Sequence, residues 1–179
     1  MRIKYRIELP DLLRYLELPL IGVELGVAEG FFSRDLLIGG LDKLYSIDNW
    51  GHIAGIKGDG NFPDSWHETN YENAKKLLAP FGRKSIILKG LTDDMHAHIP
   101  DFSCGLIYHD GDHSYEQVKK DIPNYFDKLV TGGVFAFHDY LSDAYGVKQG
   151  VEEFCYKKYD IHIIPENKDE DAGAYFIKY

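Results

Sequence analysis

Two kinds of segment alternate along the chain. Short apolar runs rich in β-branched and aromatic residues predict strands, and segments with apolar residues every three or four positions predict amphipathic helices. This alternation is typical of an α/β protein with a mostly parallel sheet. The predicted strands are residues 20–25, 44–47, 85–88, 104–109, 134–138, 161–164 and 174–178, and the predicted helices are residues 10–18, 31–37, 66–78, 115–129 and 147–158.

The order of these segments predicts the organisation of the chain. Residues 1–19 form an N-terminal helical segment, and residues 20–179 form one domain. The last two strands are joined by a short connection, so we expect them to form an antiparallel hairpin at one edge of the sheet. Two glycine pairs, Gly39–Gly40 and Gly132–Gly133, follow predicted helices, and we expect them to end those helices.

The composition narrows the functional classes. The chain has 179 residues, 44% of them hydrophobic, which is enough for one core of ordinary size. Its formal net charge of −9 provides no broad positive field, so we expect no nucleic-acid partner. Apolar runs are too short to cross a bilayer, and acids interrupt the first residues, so we expect a cytoplasmic protein with no membrane partner. Cys104 and Cys155 lack metal-site spacing and are predicted to be buried thiols.

A glycine turn joins the first predicted strand to the following helix. Gly26 and Gly30 allow a tight turn and a close approach of the backbone. Their spacing differs from the G-x-G-x-x-G fingerprint, and Glu29 places a carboxylate where a diphosphate needs bare amides. Glu24 and Glu29 suit a ligand with positive charge, such as an amino group or a sulfonium.

An acid ends the second predicted strand. Asp48 follows Gly26 by about 20 residues, the distance expected for a carboxylate that binds ribose hydroxyls. Trp50 lies just beyond it, where a ring would cover an adenine face. The two features together indicate a nucleoside ligand.

These motifs resemble those of the class I S-adenosylmethionine-dependent methyltransferases. Residues 23–30 correspond to the first motif of that family, and Ile47-Asp48 to the second. The run His-Asp-Gly-Asp-His-Ser-Tyr at 109–115, with Gly132-Gly133-Val134 and Phe-His-Asp-Tyr at 137–140, is similar to the macrocin O-methyltransferase-like group. The resemblance covers residues 22–139.

The resemblance implies a fold, a cofactor and an activity. The implied fold is a Rossmann-like three-layer sandwich with a seven-stranded, mostly parallel sheet that ends in an antiparallel hairpin. The implied activity is S-adenosylmethionine-dependent O-methylation of a small-molecule or sugar-containing metabolite. The implied cofactor-binding residues are Glu24, Gly26, Ala28, Glu29, Gly30, Ser33, Asp48, Trp50, Asp93, Asp112 and His113.

Methylation of an acceptor oxygen requires removal of its proton, either by a base or with the help of a metal ion that lowers the pKa of the hydroxyl. Asp110 ends the fourth predicted strand, and His138 and Asp139 end the fifth, so their side chains are expected to meet at one edge of the sheet. We therefore predict Asp110, His138 and Asp139 as catalytic residues. In the metal-dependent O-methyltransferases that the sequence resembles, the residues at these three positions hold magnesium. Here His138 stands where an acid is usual. Because magnesium prefers oxygen ligands, the imidazole favours manganese, zinc or no metal. Whether a divalent metal is needed stays open.

Other readings of the sequence stay open. One alternative is a nicotinamide-dependent oxidoreductase, and another is a cofactor-binding module without turnover. A third is a metal-dependent hydrolase built on Asp110, His113, His138 and Asp139. The sequence identifies neither the acceptor nor the oligomeric state, so a homodimer also stays open. Residues 51–65 are the candidate lid over the acceptor, with Trp50, Phe62 and Trp66 as aromatic contacts.

Overall fold

A computed structural model describes residues 1–53, 59–166 and 172–179. Within these ranges the strands are β1 (Ile21–Leu25), β2 (Lys43–Asp48), β3 (Ser85–Lys89), β4 (Cys104–His109), β5 (Leu129–Phe137), β6 (His162–Ile164) and β7 (Gly173–Ile177). The α-helices are α1 (Leu9–Tyr15), α2 (Phe31–Ile38), α3 (Asp64–Leu78), α4 (Thr92–Met95), α5 (Tyr115–Phe126) and α6 (Val147–Cys155). Short 3₁₀ helices lie at Arg6–Glu8, Asp59–Asn61, Ala79–Lys84 and His96–His98.

The described strands form one sheet in the order β3-β2-β1-β4-β5-β7-β6. The first five strands of the chain pair in parallel, and β7 pairs antiparallel with both β5 and β6. The predicted mostly parallel sheet with an antiparallel hairpin at its edge is therefore confirmed. The strand order reverses between β1 and β4, and in such sheets ligands bind at the carboxyl ends of the strands beside the reversal.

Apolar residues cover both faces of the sheet. On one face, α5 and α6 contribute Val118, Ile122 and Val151 to the core. On the other face, the core includes Leu13 of α1 and Leu36 of α2. The sheet is thus the middle of three layers. Helix α1 packs into the same core as α2 and the end of α3.

The prediction for Gly132–Gly133 is wrong, whereas that for Gly39–Gly40 is confirmed. Helix α5 ends at Phe126, three residues before its predicted end, and β5 already begins at Leu129. Gly132 has a φ of +85° and donates its N–H to the Lys178 carbonyl at 2.6 Å, so the glycines bend a strand. A local glycine pattern cannot distinguish this bend from a helix end.

Two expectations from composition can be compared with the structure. Cys104 and Cys155 are free and buried, as predicted for thiols. Among the described residues, no helix combines the length and the apolar character needed to cross a membrane.

Candidate active site

The turn after β1 depends on the missing side chain of Gly26. Its φ is +85°, and its N–H donates to the Ile47 carbonyl at 2.9 Å. A Cβ at this position would overlap the backbone carbonyl of Asp110, which follows β4. The turns after β1 and β4 can therefore touch only because residue 26 is glycine.

Asp48 fastens this turn to the end of β2. Its Oδ2 accepts hydrogen bonds from the N–H groups of Val27 and Ala28 at 2.8 and 2.9 Å. Its Oδ1 accepts a hydrogen bond from the Trp50 N–H at 2.8 Å. The carboxylate predicted to bind ribose thus also accepts the hydrogen bonds that order the glycine turn.

Trp50 is a second support of the same turn. Its indole N–H donates to the Ala28 carbonyl at 2.8 Å, and its ring lies 4.9 Å from the Tyr71 ring. The side chain is buried, with 3% exposed. The ring therefore packs inside the protein, so its predicted contact with an adenine stays a prediction.

Glu24 lies inside the sheet under the glycine turn. Its carboxylate accepts a hydrogen bond from the Ser33 hydroxyl, which also lies 3.0 Å from the Ser46 hydroxyl. Only 1% of Glu24 is exposed, and this burial raises its pKa well above the usual range. Burial therefore favours the neutral acid, whereas the sequence pattern predicted an ionised carboxylate facing a cationic ligand.

Four side chains meet at the carboxyl ends of β4 and β5, and we call them the active-site cluster: Asp110, His113, His138 and Asp139. Asp110 Oδ1 lies 3.4 Å from both His113 Nε2 and His138 Nδ1. Asp139 Oδ1 lies 3.0 Å from His138 Nδ1, and its Oδ2 lies 3.4 Å from His113 Nδ1. Parallel pairing of β4 with β5 places His109 beside Phe137, which brings the residues after both strands together. The predicted catalytic residues are therefore neighbours, and His113 joins them.

The charges in the cluster alter its protonation. Burial lowers the pKa of His138, but the Asp139 carboxylate and the charge of Asp110 raise it by more, so the net pKa is raised. Burial raises the pKa of Asp139, but His138 lowers it by more, so the net pKa is lowered. Only the neutral imidazole of His138 can act as a base or a metal ligand.

The imidazole nitrogens provide a test of whether a metal ion fits. His113 Nε2 and both ring nitrogens of His138 are buried and have no partner with hydrogen-bond geometry among the described residues. One ligand atom each from Asp110, His113 and His138 lies within 4.8 Å of the others. These three residues therefore fit a divalent cation, and Asp139 lies beside both imidazoles, where it would orient them.

Three further predicted cofactor residues also lie outside the cluster. Asp93 accepts a hydrogen bond from Gln117 Nε2 at 2.7 Å. Asp112 accepts one from the Ser114 N–H at 2.8 Å, which holds the start of α5. Glu29 lines a cavity of about 320 Å³ between the start of α2 and the end of α3. Their roles towards a cofactor stay predictions.

Three residues in the turns that follow strands have a strained backbone conformation. Ala28, Trp50 and Asp139 follow β1, β2 and β5 and have φ values of +48°, +42° and +52°. Such conformations are costly for residues with a side chain and concentrate at functional sites. The strain therefore agrees with the position of the cluster at the carboxyl end of the sheet.

Two residues at the site were not predicted from the sequence. Arg6 comes from the N-terminal segment, and its Nη1 lies 3.9 Å from Asp110 Oδ2. Tyr145 packs its ring 4.9 Å from the His113 ring. Neither residue belongs to a motif, because long-range folding alone brings them to the site. Of the predicted lid, residues 54–58 lie outside the described ranges, and the rings of Phe62 and Trp66 pack 4.8 Å apart.

The fold and the site together define a Rossmann-like α/β protein whose polar cluster lies at the carboxyl ends of β4 and β5, beside the point where the strand order reverses. The chain belongs to the methyltransferase domain family, whose model matches residues 21–140. The match ends at the residue after Asp139, so it includes both the glycine turn and the active-site cluster.

Solved structures share this fold at low sequence identity. The O-methyltransferase NovP is 19% identical with a TM-score of 0.69, over 96% of this chain and 77% of NovP. The calicheamicin methyltransferase CalS11 is 15% identical with a TM-score of 0.70, over 96% of this chain and 77% of CalS11. An O-methyltransferase from Bacillus cereus in complex with SAH is 11% identical with a TM-score of 0.67, over 97% of this chain and 80% of that one. A comparison with curated proteins found no match.

Proposed function

We propose that the protein is an S-adenosylmethionine-dependent methyltransferase that acts on an oxygen of a small-molecule acceptor. The observation that carries this proposal is the active-site cluster, which lies beside the glycine turn at the carboxyl ends of β1, β4 and β5. Membership of the methyltransferase domain family supports it and argues against a nicotinamide-dependent oxidoreductase. The His-Asp-Gly-Asp-His-Ser-Tyr run supports the macrocin O-methyltransferase-like group within that family.

The glycine turn and its supports would hold the nucleoside side of the cofactor. Asp48 and Trp50 fix the turn in place, so the binding surface is formed before a ligand arrives. S-adenosylmethionine supplies an electrophilic methyl group when it is bound. Because this group needs no activation, the protein has to position the acceptor and remove its proton.

The active-site cluster would remove that proton. Neutral His138 would accept it, and the carboxylates of Asp139 and Asp110, at 3.0 and 3.4 Å, would stabilise the resulting imidazolium. In the alternative route a divalent cation is bound, His138 is a metal ligand rather than the base, and the cation would lower the pKa of the acceptor hydroxyl. We propose that Asp110, His113 and His138 hold such a cation, and their two imidazoles favour manganese or zinc over magnesium.

We propose that the acceptor binds in an open groove close to the cluster. It has a volume of about 550 Å³ and is lined by residues of α6 and of the chain on either side of it, among them Tyr145, Lys148 and Tyr156. Tyr145 links the groove to the cluster through its contact with His113. CalS11, described as a TDP-rhamnose 3′-O-methyltransferase, shares the fold, so sugar hydroxyls belong among the acceptors to be tested.

Isothermal titration calorimetry with S-adenosylhomocysteine tests cofactor binding. We expect the wild-type protein to bind it, and no binding at millimolar ligand would refute the proposal. Transfer of a labelled methyl group to a panel of hydroxylated acceptors tests the reaction. We expect His138→Ala to lower transfer by about 10²–10⁴-fold with little change in cofactor affinity. The exposed His98→Ala variant is the matched control.

Calorimetric titration with Mn²⁺ and Zn²⁺ tests the metal site separately. We expect one equivalent to bind the wild-type protein, and His113→Ala to weaken that binding by about 10-fold or more, because a ligand is lost. His98→Ala should bind as the wild type does. Equal binding by wild type and His113→Ala would contradict the proposed ligand set.

A further inference from the structure

Arg6 extends from the N-terminal segment over the start of α2 and the end of β4. Its guanidinium carbon lies 5.0 Å above the centre of the Phe32 ring, and Nη1 lies 3.4 Å from the Tyr108 hydroxyl. The Phe32 and Tyr108 rings pack 4.5 Å apart, so they form one aromatic platform. The guanidinium therefore has a fixed position on this platform rather than a free surface orientation.

The backbone at Arg6 is anchored as well. The Arg6 N–H donates to Glu166 Oε1 at 2.7 Å, and the Glu166 N–H donates to the Lys4 carbonyl at 2.9 Å. These bonds tie the 3₁₀ helix Arg6–Glu8 to the chain that follows β6. Anchored at both its backbone and its ring platform, the side chain is preorganised for binding.

The guanidinium lacks a close carboxylate partner in the described ranges. Its Nη1 lies 3.9 Å from Asp110 Oδ2, whereas the donor and acceptor atoms of a charge-assisted hydrogen bond lie about 2.7–2.9 Å apart. Asp110 also faces His113 and His138 at 3.4 Å, so its charge is shared. Arg6 thus keeps the capacity to bind a second carboxylate in the two-pronged geometry that arginine favours.

The charges around the site indicate which carboxylate Arg6 would bind. Among the lysines and arginines of the described residues, Arg6 is the one that approaches a carboxylate of the active-site cluster within 4.0 Å. The carboxylates of Asp110 and Asp139 suit the sulfonium and amino groups of S-adenosylmethionine, but they repel its α-carboxylate. A cation at the edge of the acidic cluster would offset this repulsion and suits that end of the cofactor.

We propose that Arg6 binds the α-carboxylate of the methionyl part of the cofactor, so that the N-terminal segment completes the cofactor site. This inference rests on the proposed function. It assigns a binding role to a residue that lies outside the residues matched by the family model, which begin at 21.

Two ligands that differ by one group test the proposal by calorimetry. S-adenosylhomocysteine has the α-carboxylate, whereas S-adenosyl-3-thiopropylamine has hydrogen in its place. We expect Arg6→Met to weaken binding of S-adenosylhomocysteine by about 10- to 100-fold, the usual effect of losing hydrogen bonds to a charged group. Binding of the amine should not weaken, because it lacks the group that Arg6 holds. Arg6→Lys should lose less affinity than Arg6→Met, since it keeps the charge.

Controls separate binding from structure. Arg14→Met removes an arginine of the same segment that pairs with Asp11, away from the cluster, and it should bind both ligands as the wild type does. Thermal unfolding shows whether each variant is folded. Equal loss of affinity for both ligands, or no loss for S-adenosylhomocysteine, would overturn the role of Arg6. A wild-type protein that binds neither ligand would instead refute the proposed function.

Discussion

At the scale of single residues, partners and burial decide what each motif carboxylate does. Asp48 accepts three backbone N–H groups and so acts as a structural support of the glycine turn. Glu24 is buried against Ser33, and burial raises its pKa well above the usual range. Asp110 and Asp139 stay partly exposed beside imidazoles. Four acids that look alike in the sequence therefore have different chemistry.

The buried acid makes a prediction about pH. Because the pKa of Glu24 is raised on folding, the stability it contributes is complete below its ordinary pKa of about 4.5 and is lost as the pH rises towards the folded value. Glutamine has no such dependence. We expect Glu24→Gln to gain stability relative to the wild type as the pH rises from 5 to 8, by up to about 1.4 kcal/mol per pH unit.

Urea unfolding of both proteins at several pH values measures this difference. The comparison cancels the titration of all groups that the two proteins share. Glu116→Gln, at an exposed position of α5, is the matched control. A difference between Glu24→Gln and wild type that stays constant or shrinks with rising pH would contradict the assignment.

At the scale of elements, close contacts between turns position the site. The turn after β1 touches the turn after β4 at Gly26, and this contact places the glycine turn beside Asp110. The parallel register of β4 and β5 brings His138 to the same level. The site is thus assembled by backbone packing at the strand ends, and its side chains follow from that packing.

This contact predicts different effects for two glycine substitutions. Gly26 and Gly82 both have positive φ, but a Cβ at Gly82 would meet nothing within 4 Å, whereas one at Gly26 would overlap Asp110. We expect Gly82→Ala to cost about 1–3 kcal/mol of unfolding free energy from the conformation alone, because its φ of 56° and ψ of −125° lie in a region that residues with a side chain rarely adopt. Gly26→Ala should cost about 1–3 kcal/mol more, from overpacking. Urea unfolding measures both, and equal costs would show that the contact at Gly26 is unimportant.

At the scale of the whole molecule, the N-terminal segment and the sheet share one core. Leu13 of α1 is fully buried among residues that include Leu36 and Leu44. The same segment carries Arg6 to the active-site cluster. The net charge of −9 includes the acids of this site, so part of the negative charge belongs to the region that we propose to bind the cofactor.

The shared core predicts cooperative unfolding. We expect Leu13→Ala to cost about 2–5 kcal/mol, the usual range for truncating a buried leucine. The variant should still unfold in one transition, with the same midpoint by circular dichroism and by tryptophan fluorescence. Ile38→Ala is the control, because Ile38 is 68% exposed and should cost little. Two separate transitions in Leu13→Ala would show that the segment folds independently of the sheet.

The fold class and the main residues of the candidate site could be predicted from the sequence alone. Apolar periodicity records which face of each element is buried, so the strands and helices were predictable. Parallel strands bring their carboxyl ends to one edge, so Asp110, His138 and Asp139 could be predicted as neighbours. Periodicity also has limits, because a glycine pair such as Gly132–Gly133 fits a helix end and a bent strand equally well.

Which groups face each other, and which are already hydrogen-bonded, depends on how distant parts of the chain pack together. Arg6 lies more than 100 residues before Asp110 in the chain, and no local pattern connects them. His113 belongs with the imidazole of His138 because the turn after β4 folds back against the end of β5. Burial is likewise a property of the packed molecule, and for this reason the raised pKa of Glu24 could not be read from its motif.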